Sequence, residues 1–397
     1  MRFLKTMKNN ISEAKVPFWL DPNKRAIFYQ VLTALMVGLL AYYLVSNTLV
    51  NLERQNISSG FGFMGKEAAF EIGESPIEYS AADSYGKALL VGALNTLKVS
   101  FIGIILCLII GILVGVARLS TNWLVSKLAL IYIEVMQNIP ILLQLFFWYA
   151  LFYESLPSPR QALNPFTGIF ICNRGLALGV PAAHPSHKFI LLALILGLMI
   201  SFLIKKWARK RKENTGQDFP VLWTAVGLTI GLPVLSWVIA GAPSRMDLPA
   251  LRGFNFKGGI MMSPEFIALL LGLVIYTSAF VAEAVRAGIQ AVSRGQTEAA
   301  MSVGLKKGQV LNLVILPQAL RIIIPPLTSQ MLNLTKNSSL AIAIGFPDFV
   351  AVANTTINQT GQSIEGVALI MACYLTFSLS TSIFMNWYNK KSKLVER

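Results

Sequence analysis

The chain has 397 residues, 54% hydrophobic and 13% charged, with a formal net charge of +15 and a mean hydropathy of +0.59. Soluble domains carry roughly 25% charged residues, so the composition excludes a soluble globular protein and defines a polytopic membrane protein. Nucleic acid is also removed as the reason for the basic balance, because the Lys and Arg residues fall in loops between apolar runs, where topology accounts for them.

The basic N-terminus leads into an apolar run of 21 residues without an A-x-A-like cleavage site, so that run is expected to remain as a helix. About 20 apolar residues cross a hydrocarbon core. On that rule eight spans are predicted, at 26–46, 89–117, 128–153, 189–204, 221–241, 265–289, 313–335 and 366–388, which makes the fold class an all-α polytopic membrane protein. Arg2, Lys5, Lys8, Lys15, Lys24 and Arg25 precede the first span. Lys205, Lys206, Arg209, Lys210, Arg211 and Lys212 follow the fourth, and Lys390, Lys391, Lys393 and Arg397 follow the last. Eight spans put all three groups on one side, which the positive-inside rule makes cytoplasmic, with both termini inside.

The outer loops, 47–88, 154–188 and 242–264, are rich in Gly, Pro and aromatics without a repeat. His184 and His187 form an H-x-x-H pair that lacks a third ligand, and a loop role is expected instead of zinc. Cys107, Cys172 and Cys373 give no disulfide framework. Trp19, Tyr42, Tyr43, Trp148, Tyr149, Trp387 and Tyr388, near span ends, read as interfacial anchors.

Charges and amides inside or beside the spans are few, and each is a functional candidate. Lys98 reads as a structural, outward-reaching side chain. Gln137, Asn138 and Gln144 flank Pro140 in span three, where they either bond to neighbouring helices or line a polar path. Asn333, Lys336, Asn337, Ser338 and Ser339 end span seven on the outer side. A lysine among amides and hydroxyls there either meets an anionic or zwitterionic solute or caps a helix C-terminus. Glu283 and Arg286 are three apart, hence on one helix face at the inner end of span six, where an ion pair is expected.

Between spans six and seven lies GQTEAAMSVGLKKGQVLNLVILPQALRIIIPP, residues 295–326. Glu298, Ala299 and Ala300 favour helix, and Gly304, six residues on, suits a helix C-terminus or tight turn. A second short helix at 306–313 then leads through Ile315, Leu316 and Pro317 back into apolar sequence. The result is a protruding cytoplasmic elbow whose small residues permit close docking. No P-loop, Ser-His-Asp set or carboxylate cluster is present in the sequence, so no enzyme activity is expected and any energy source must be a partner.

These residues together resemble the EAA-loop permease subunits of type I ATP-binding-cassette importers, in the polar amino-acid uptake family. Glu298-Ala299-Ala300, Gly304 and Ile315-Leu316-Pro317 match that family's EAA loop. The resemblance extends through NTLKVS, IPILLQLFFWY, TSAFVAEAVRAGIQAVSRGQTEAA, LPQALRIIIPPLTSQ and LTKNSSLAIAIG. SNTLVNLERQNISSGFGF, LRGFNFKGG and NQTGQ bring the chain closer to the Q-type permeases of general L-amino-acid importers, also described as glutamate/glutamine/aspartate/asparagine systems. One departure is Gln137, where the family usually has Arg.

The resemblance implies a five-helix core in two parts, 87–153 and 265–397, with the coupling loop at about 292–317. A tail, extra span and periplasmic loop (1–86) precede it, and an insertion with two spans (154–264) interrupts it. It implies ATPase coupling through Gly295, Gln296, Glu298, Ala299, Ala300, Gly304 and Leu305, supported by Glu283, Arg286 and Pro317. The implied partners are two ABC ATPase subunits carrying the ATP and Mg, a second homologous permease, a periplasmic amino-acid-binding protein and the inner-membrane bilayer, with no cofactor on this chain. The implied function is inward movement of L-amino acids by alternating access. An ion-coupled secondary transporter or a non-transporting assembly subunit are the other classes. The first is disfavoured by the scarcity of mid-span acids and the lack of an evident repeat.

Overall fold

The computed structural model describes Trp19, residues 21–54 and residues 59–392. Arg2, Lys5, Lys8, Lys15, Lys393 and Arg397, which enter the orientation count, lie outside the described residues. The helices in chain order are α1 (Pro22–Arg54), α2 (Tyr85–Arg118), α3 (Trp123–Asn138), α4 (Ile141–Ser155), α5 (Ser186–Thr215) and α6 (Val221–Ile239). They continue with α7 (Pro264–Gln290), α8 (Arg294–Ser302), α9 (Lys307–Val310), α10 (Leu316–Asn337), α11 (Phe349–Thr360) and α12 (Ser363–Ser392). Seven helical segments among the described residues are long and apolar enough to cross a membrane, and the α3–α4 pair makes eight.

Helix starts follow the side-chain capping rule. Ser84 Oγ accepts from Lys87 N, Asn122 Oδ1 from Leu124 N and Ser263 Oγ from Phe266 N. Span three is not one rod, because α3 and α4 meet at 103°. Pro140 lacks an N–H and forces the residue before it out of the helical region, and Ile139 accordingly takes φ −95°, ψ 124°. The buried Gln144 closes the break, its Nε2 donating to the carbonyls of Met136 and Ile139, both at 3.0 Å.

Helix α7 is the hub and packs on α2, α3, α4 and α10. Between lipid-embedded helices no hydrophobic drive exists, and close approach over small residues takes its place. A methyl at Gly111 of α2 would fall 2.4 Å from Val281 Cγ1, and one at Gly115 would fall 2.7 Å from the Ala282 carbonyl. Gly272 and Gly288 admit Leu145 and Ile323 to α7 in the same way. Trp148 and Tyr149, expected at the lipid interface, pack against this core instead, and Tyr149 donates to Glu265 Oε1 at 3.4 Å. By contrast, the apolar stretches of α1 and α6 bury nothing, and that of α5 very little.

The outer loops are more ordered than their composition predicts. Residues 59–84 form a cap on the end of α2, with Phe63 and Ala68 buried against Tyr85, Phe349 and Val352. The segment between α4 and α7 carries β1 (Leu163–Phe166), β2 (Ile169–Cys172), β3 (Gly175–Leu178) and β8 (Ile260–Met262) as one antiparallel sheet in the order β1-β2-β3-β8. Two further ladders pair β4 (Val180–Pro181) with β5 (Met246–Asp247), and β6 (Ala250–Arg252) with β7 (Asn255–Lys257). Leu178 opposite Ile260 brings the two arms of the insertion together beside the start of α7.

Overpacked core positions lose about 1–3 kcal/mol and sometimes more. Gly111→Leu should therefore lower the unfolding temperature of the detergent-solubilised protein, whereas Gly38→Leu, with nothing within 4 Å of the added Cβ, should leave it unchanged. Differential scanning fluorimetry of the two variants checks this.

Candidate coupling elbow and outer cleft

At one end of α7 the chain turns through Ala291–Ser293 into α8. That helix stops in a Schellman arrangement: Gly304 N donates to Met301 O at 2.9 Å and Leu305 N to Ala300 O at 3.2 Å. Gly304 sits at φ +83°, a conformation that costs an L-residue roughly 1–2 kcal/mol. The chain then folds back through α9, whose first free N–H, on Lys306, is taken by Gln309 Oε1 at 2.9 Å. Gln318 Nε2 bonds Gln296 Oε1 at 3.3 Å and ties α8 to the start of α10.

Pro317, where the chain re-enters apolar sequence, lies in the first turn of α10 and does not interrupt the helix. Helix runs from Lys307 onward through one wide π-turn, Leu311–Ile315, in which Leu316 N reaches back to Leu311 O. Proline supplies no N–H and crowds the carbonyl of the preceding turn, and the widened turn accommodates this without ending the helix.

Of the residues predicted to couple, Gly295, Gln296, Glu298, Ala299 and Gly304 are exposed on the elbow. Ala300 is buried and Leu305 half-buried, on the inner side of the turn. The outward face gains two apolar residues that the pattern did not single out, Met301, 45% exposed, and Val303, 77% exposed. Glu283 and Arg286 pair as expected: Arg286 Nε donates to Glu283 Oε2 at 2.9 Å, and its other nitrogens reach Glu283 Oε1 and Gln290. These bonds lie within α7.

At the opposite end, α10 passes into a 3-10 turn, Ser338–Ile344. Lys336 and Ser339 line an open cleft of about 630 Å3 with Val350, Ile370, Met371 and Tyr374. Ser339 Oγ donates to Lys336 O at 2.7 Å. Asn333 is exposed and Asn337 half-buried, whereas Ser338 is fully buried with its hydroxyl on Thr335 O at 2.7 Å. Gln137, Asn138 and Gln144 occupy a different place. Gln137 Nε2 donates to Ala279 O at 3.3 Å, Asn138 Nδ2 to Glu134 O at 2.6 Å, and Gln144 staples the helix break. The eight candidate path residues therefore form two groups, one at the α3–α4 break against α7 and one beside α12. Gln144 and Ser338 point into the framework.

Sequence spacing did not disclose Glu74. One oxygen meets Lys98 Nζ at 2.5 Å, the other accepts from Ser263 Oγ at 2.6 Å, and its backbone carbonyl accepts from Asn95 Nδ2 at 2.8 Å. Lys98 also lies 4.4 Å from the Phe266 ring centre, a cation–π contact that fixes its stem. The cap, α2 and the start of α7 are thus held by one largely buried carboxylate. Beside it, Glu71, Glu74 and Glu265 line a cavity of about 470 Å3. His184 Nδ1 shares a hydrogen with Ser186 Oγ at 2.7 Å at the start of α5.

Asp348 joins α11 to α12, accepting from Ala351 N at 2.9 Å and from Tyr374 Oη–H at 3.1 Å. Burial pushes its carboxyl up to about 6. A carboxyl raised on folding stabilises below its unfolded value near 3.8, and that contribution is lost as pH climbs through the folded value. The stability of the wild type relative to Asp348→Asn should therefore fall between about pH 4 and pH 6, by roughly 3 kcal/mol, and stay level above. Paired thermal melts across that window measure it.

Up to eight candidate spans around a hub helix, with a polar elbow at one end, define a polytopic membrane protein. Residues 107–394 match the model of the binding-protein-dependent transport system inner membrane component family, and the chain belongs to that family. It is 50% identical to the general L-amino acid transport system permease protein AapQ of Rhizobium johnstonii, over 95% of this chain and 94% of that protein. It is 40% identical to the glutamate/glutamine/aspartate/asparagine transport system permease protein BztB of Rhodobacter capsulatus, over 95% and 96%. The glutamate/aspartate import permease protein GltJ of Escherichia coli K12 is 36% identical over 37% of this chain and 60% of its own length. Family membership sets aside the ion-coupled transporter and the non-transporting assembly subunit.

Proposed function

We propose that this permease moves L-amino acids, chiefly polar and acidic ones and their amides, from periplasm to cytoplasm, driven by two copies of a separate ABC ATPase. The observation that carries the reading is the elbow, a closed helix–turn–helix with Glu298, Ala299, Met301 and Val303 on its outer face. It fits a groove on a partner. ATP and Mg act on that partner, and this chain contributes no hydrolytic step. The names of AapQ and BztB support the substrate class.

A second, homologous permease would pair with this chain, and the cleft around Lys336 gives it a face to meet, since Met371 and Leu375 of α12 stand exposed beside it. A periplasmic amino-acid-binding protein would deliver substrate to the outer end, where the Lys336 ammonium suits a carboxylate. Closing of the ATPases would draw the two elbows together and rock the paired permeases between outward- and inward-facing states. Basic residues around the start of α1, at the end of α5 and at the C-terminus support an inner-membrane orientation with both termini cytoplasmic.

Gly304→Trp should abolish uptake of labelled glutamate while insertion and yield persist, because a bulky residue at φ +83° reshapes the elbow. Normal uptake by that variant would overturn the coupling role. Recovery of an ATPase and a second permease with the wild type in mild detergent, and loss of the ATPase from the variant, tests the same contact directly. Lys336→Gln should lower uptake or blunt the ATPase response to loaded binding protein at least about tenfold, the effect of losing one charge-assisted hydrogen bond. No change in either would make Lys336 a helix-capping residue only.

A further inference from the structure

The end of α5 carries six cations in eight residues, Lys205, Lys206, Arg209, Lys210, Arg211 and Lys212. Against them, residues 205–218 offer only Glu213 and Asp218, leaving a net charge of +4. Arg209 reaches Glu213 at 3.1 Å and Lys212 reaches Asp218 at 2.6 Å, but all four side chains are largely exposed, and such pairs contribute little in water. A stronger anion can replace either carboxylate.

The cations do not share one face. At 100° per residue, Lys205, Arg209 and Lys212 lie together, Lys206 and Lys210 lie on the next sector, and Arg211 stands opposite. A groove on a protein would engage one of these sectors and leave the others stranded. A layer of phosphates surrounding the helix engages all of them. Aromatic rings mark the depth: Lys206 lies 5.8 Å from the Phe202 ring and Arg211 5.3 Å from the Trp207 ring, which packs edge-on against Phe219. Rings with cations folded over them belong at the headgroup boundary. The apolar run of α5 ends immediately before, at Ile204. Helices α5 and α6 pack chiefly against each other, with Gly197 admitting the Leu228 backbone, so this hairpin has little protein to hold it in place.

We infer that the basic end of α5 binds anionic phospholipid headgroups, which fix the depth and position of the α5–α6 hairpin in the bilayer. The inference stands apart from the transport reading and requires only that α5 cross the membrane. The binding chemistry is several phosphodiesters held by mobile ammonium and guanidinium groups.

The test uses the full chain with its co-purifying partners in nanodiscs of phosphatidylcholine containing a minority of phosphatidylglycerol. Native mass spectrometry counts the lipids retained. Wild type should hold phosphatidylglycerol over phosphatidylcholine by at least about fivefold, the gain expected for each cation engaged. Substituting Lys205→Gln, Lys206→Gln, Lys210→Gln and Lys212→Gln together should bring the ratio close to parity, and Lys→Arg at the same positions should restore it. Because loop cations also guide insertion, a salt titration of the unaltered protein repeats the comparison. Near 1 M, where the screening length is ~3 Å, the preference should vanish. Equal retention by wild type and the Gln variant, or a preference indifferent to salt, would overturn the inference. Displacement of the lipid by soluble glycerol phosphate would overturn it in favour of a free phosphate site, and an acidic protein segment shielding the cations would do so in favour of a protein partner.

Discussion

The contact on which the structure depends is the close approach of α2 and α7 across Gly111 and Gly115. Inside a bilayer, burying a leucine against another helix gains little over leaving it in lipid, so cohesion must come from dense packing and backbone proximity. Val281, Val285 and the Ser278 and Ala282 carbonyls fill the space that two side chains would otherwise take. With that seam fixed, α7 presents its own glycines, Gly272 and Gly288, to α4 and α10, and the core assembles around one helix. Both ends of that helix carry function-bearing structure. Ser263 and Glu74 secure the cap at one end, and the turn into the elbow begins at the other.

Helix α10 is the second mechanical element. Its 22 residues, about 33 Å at 1.5 Å each, connect the elbow to the Lys336 cleft without a break in the chain's helical course. The hydrogen bond between Gln318 and Gln296 links α8 to its base. Two features along the way are soft. The π-turn at Leu311–Ile315 interrupts the regular α-helical ladder, and Pro325 and Pro326 each remove an internal bond. A helix stiff over its length and yielding at two defined points can change tilt without unfolding.

The spans were legible in the sequence because a bilayer demands about 20 consecutive apolar residues, and the elbow was legible because Gly304 has one efficient use after a helix. What escaped depended on contacts remote in sequence. Glu74 meets partners 24 and 189 residues away, and its GESP surroundings give no periodic signal. The strands of the insertion run two to four residues, too short to show alternation. Trp148 and Tyr149 read as belt residues because composition near a span end cannot say which side of the helix faces protein. Ala300 was taken for part of the docking surface when its small size serves the turn's interior. Pro317 was read as the return to apolar sequence, and the wide turn before it, which no local pattern announces, carries the helix through.

The ladder between β3 and β8 has an implication for descent. It joins the strand that precedes the α5–α6 hairpin to the strand that follows it, with Leu178 opposite Ile260, directly ahead of the Ser263 cap. A segment that leaves and re-enters at one place can be acquired or discarded by a lineage in a single genetic event. The helices on either side keep their order, their handedness and their partners. The core can therefore be inherited under strong constraint while the hairpin and its outer sheet drift, recruit new surfaces or disappear, and divergence in this protein should concentrate between α4 and α7.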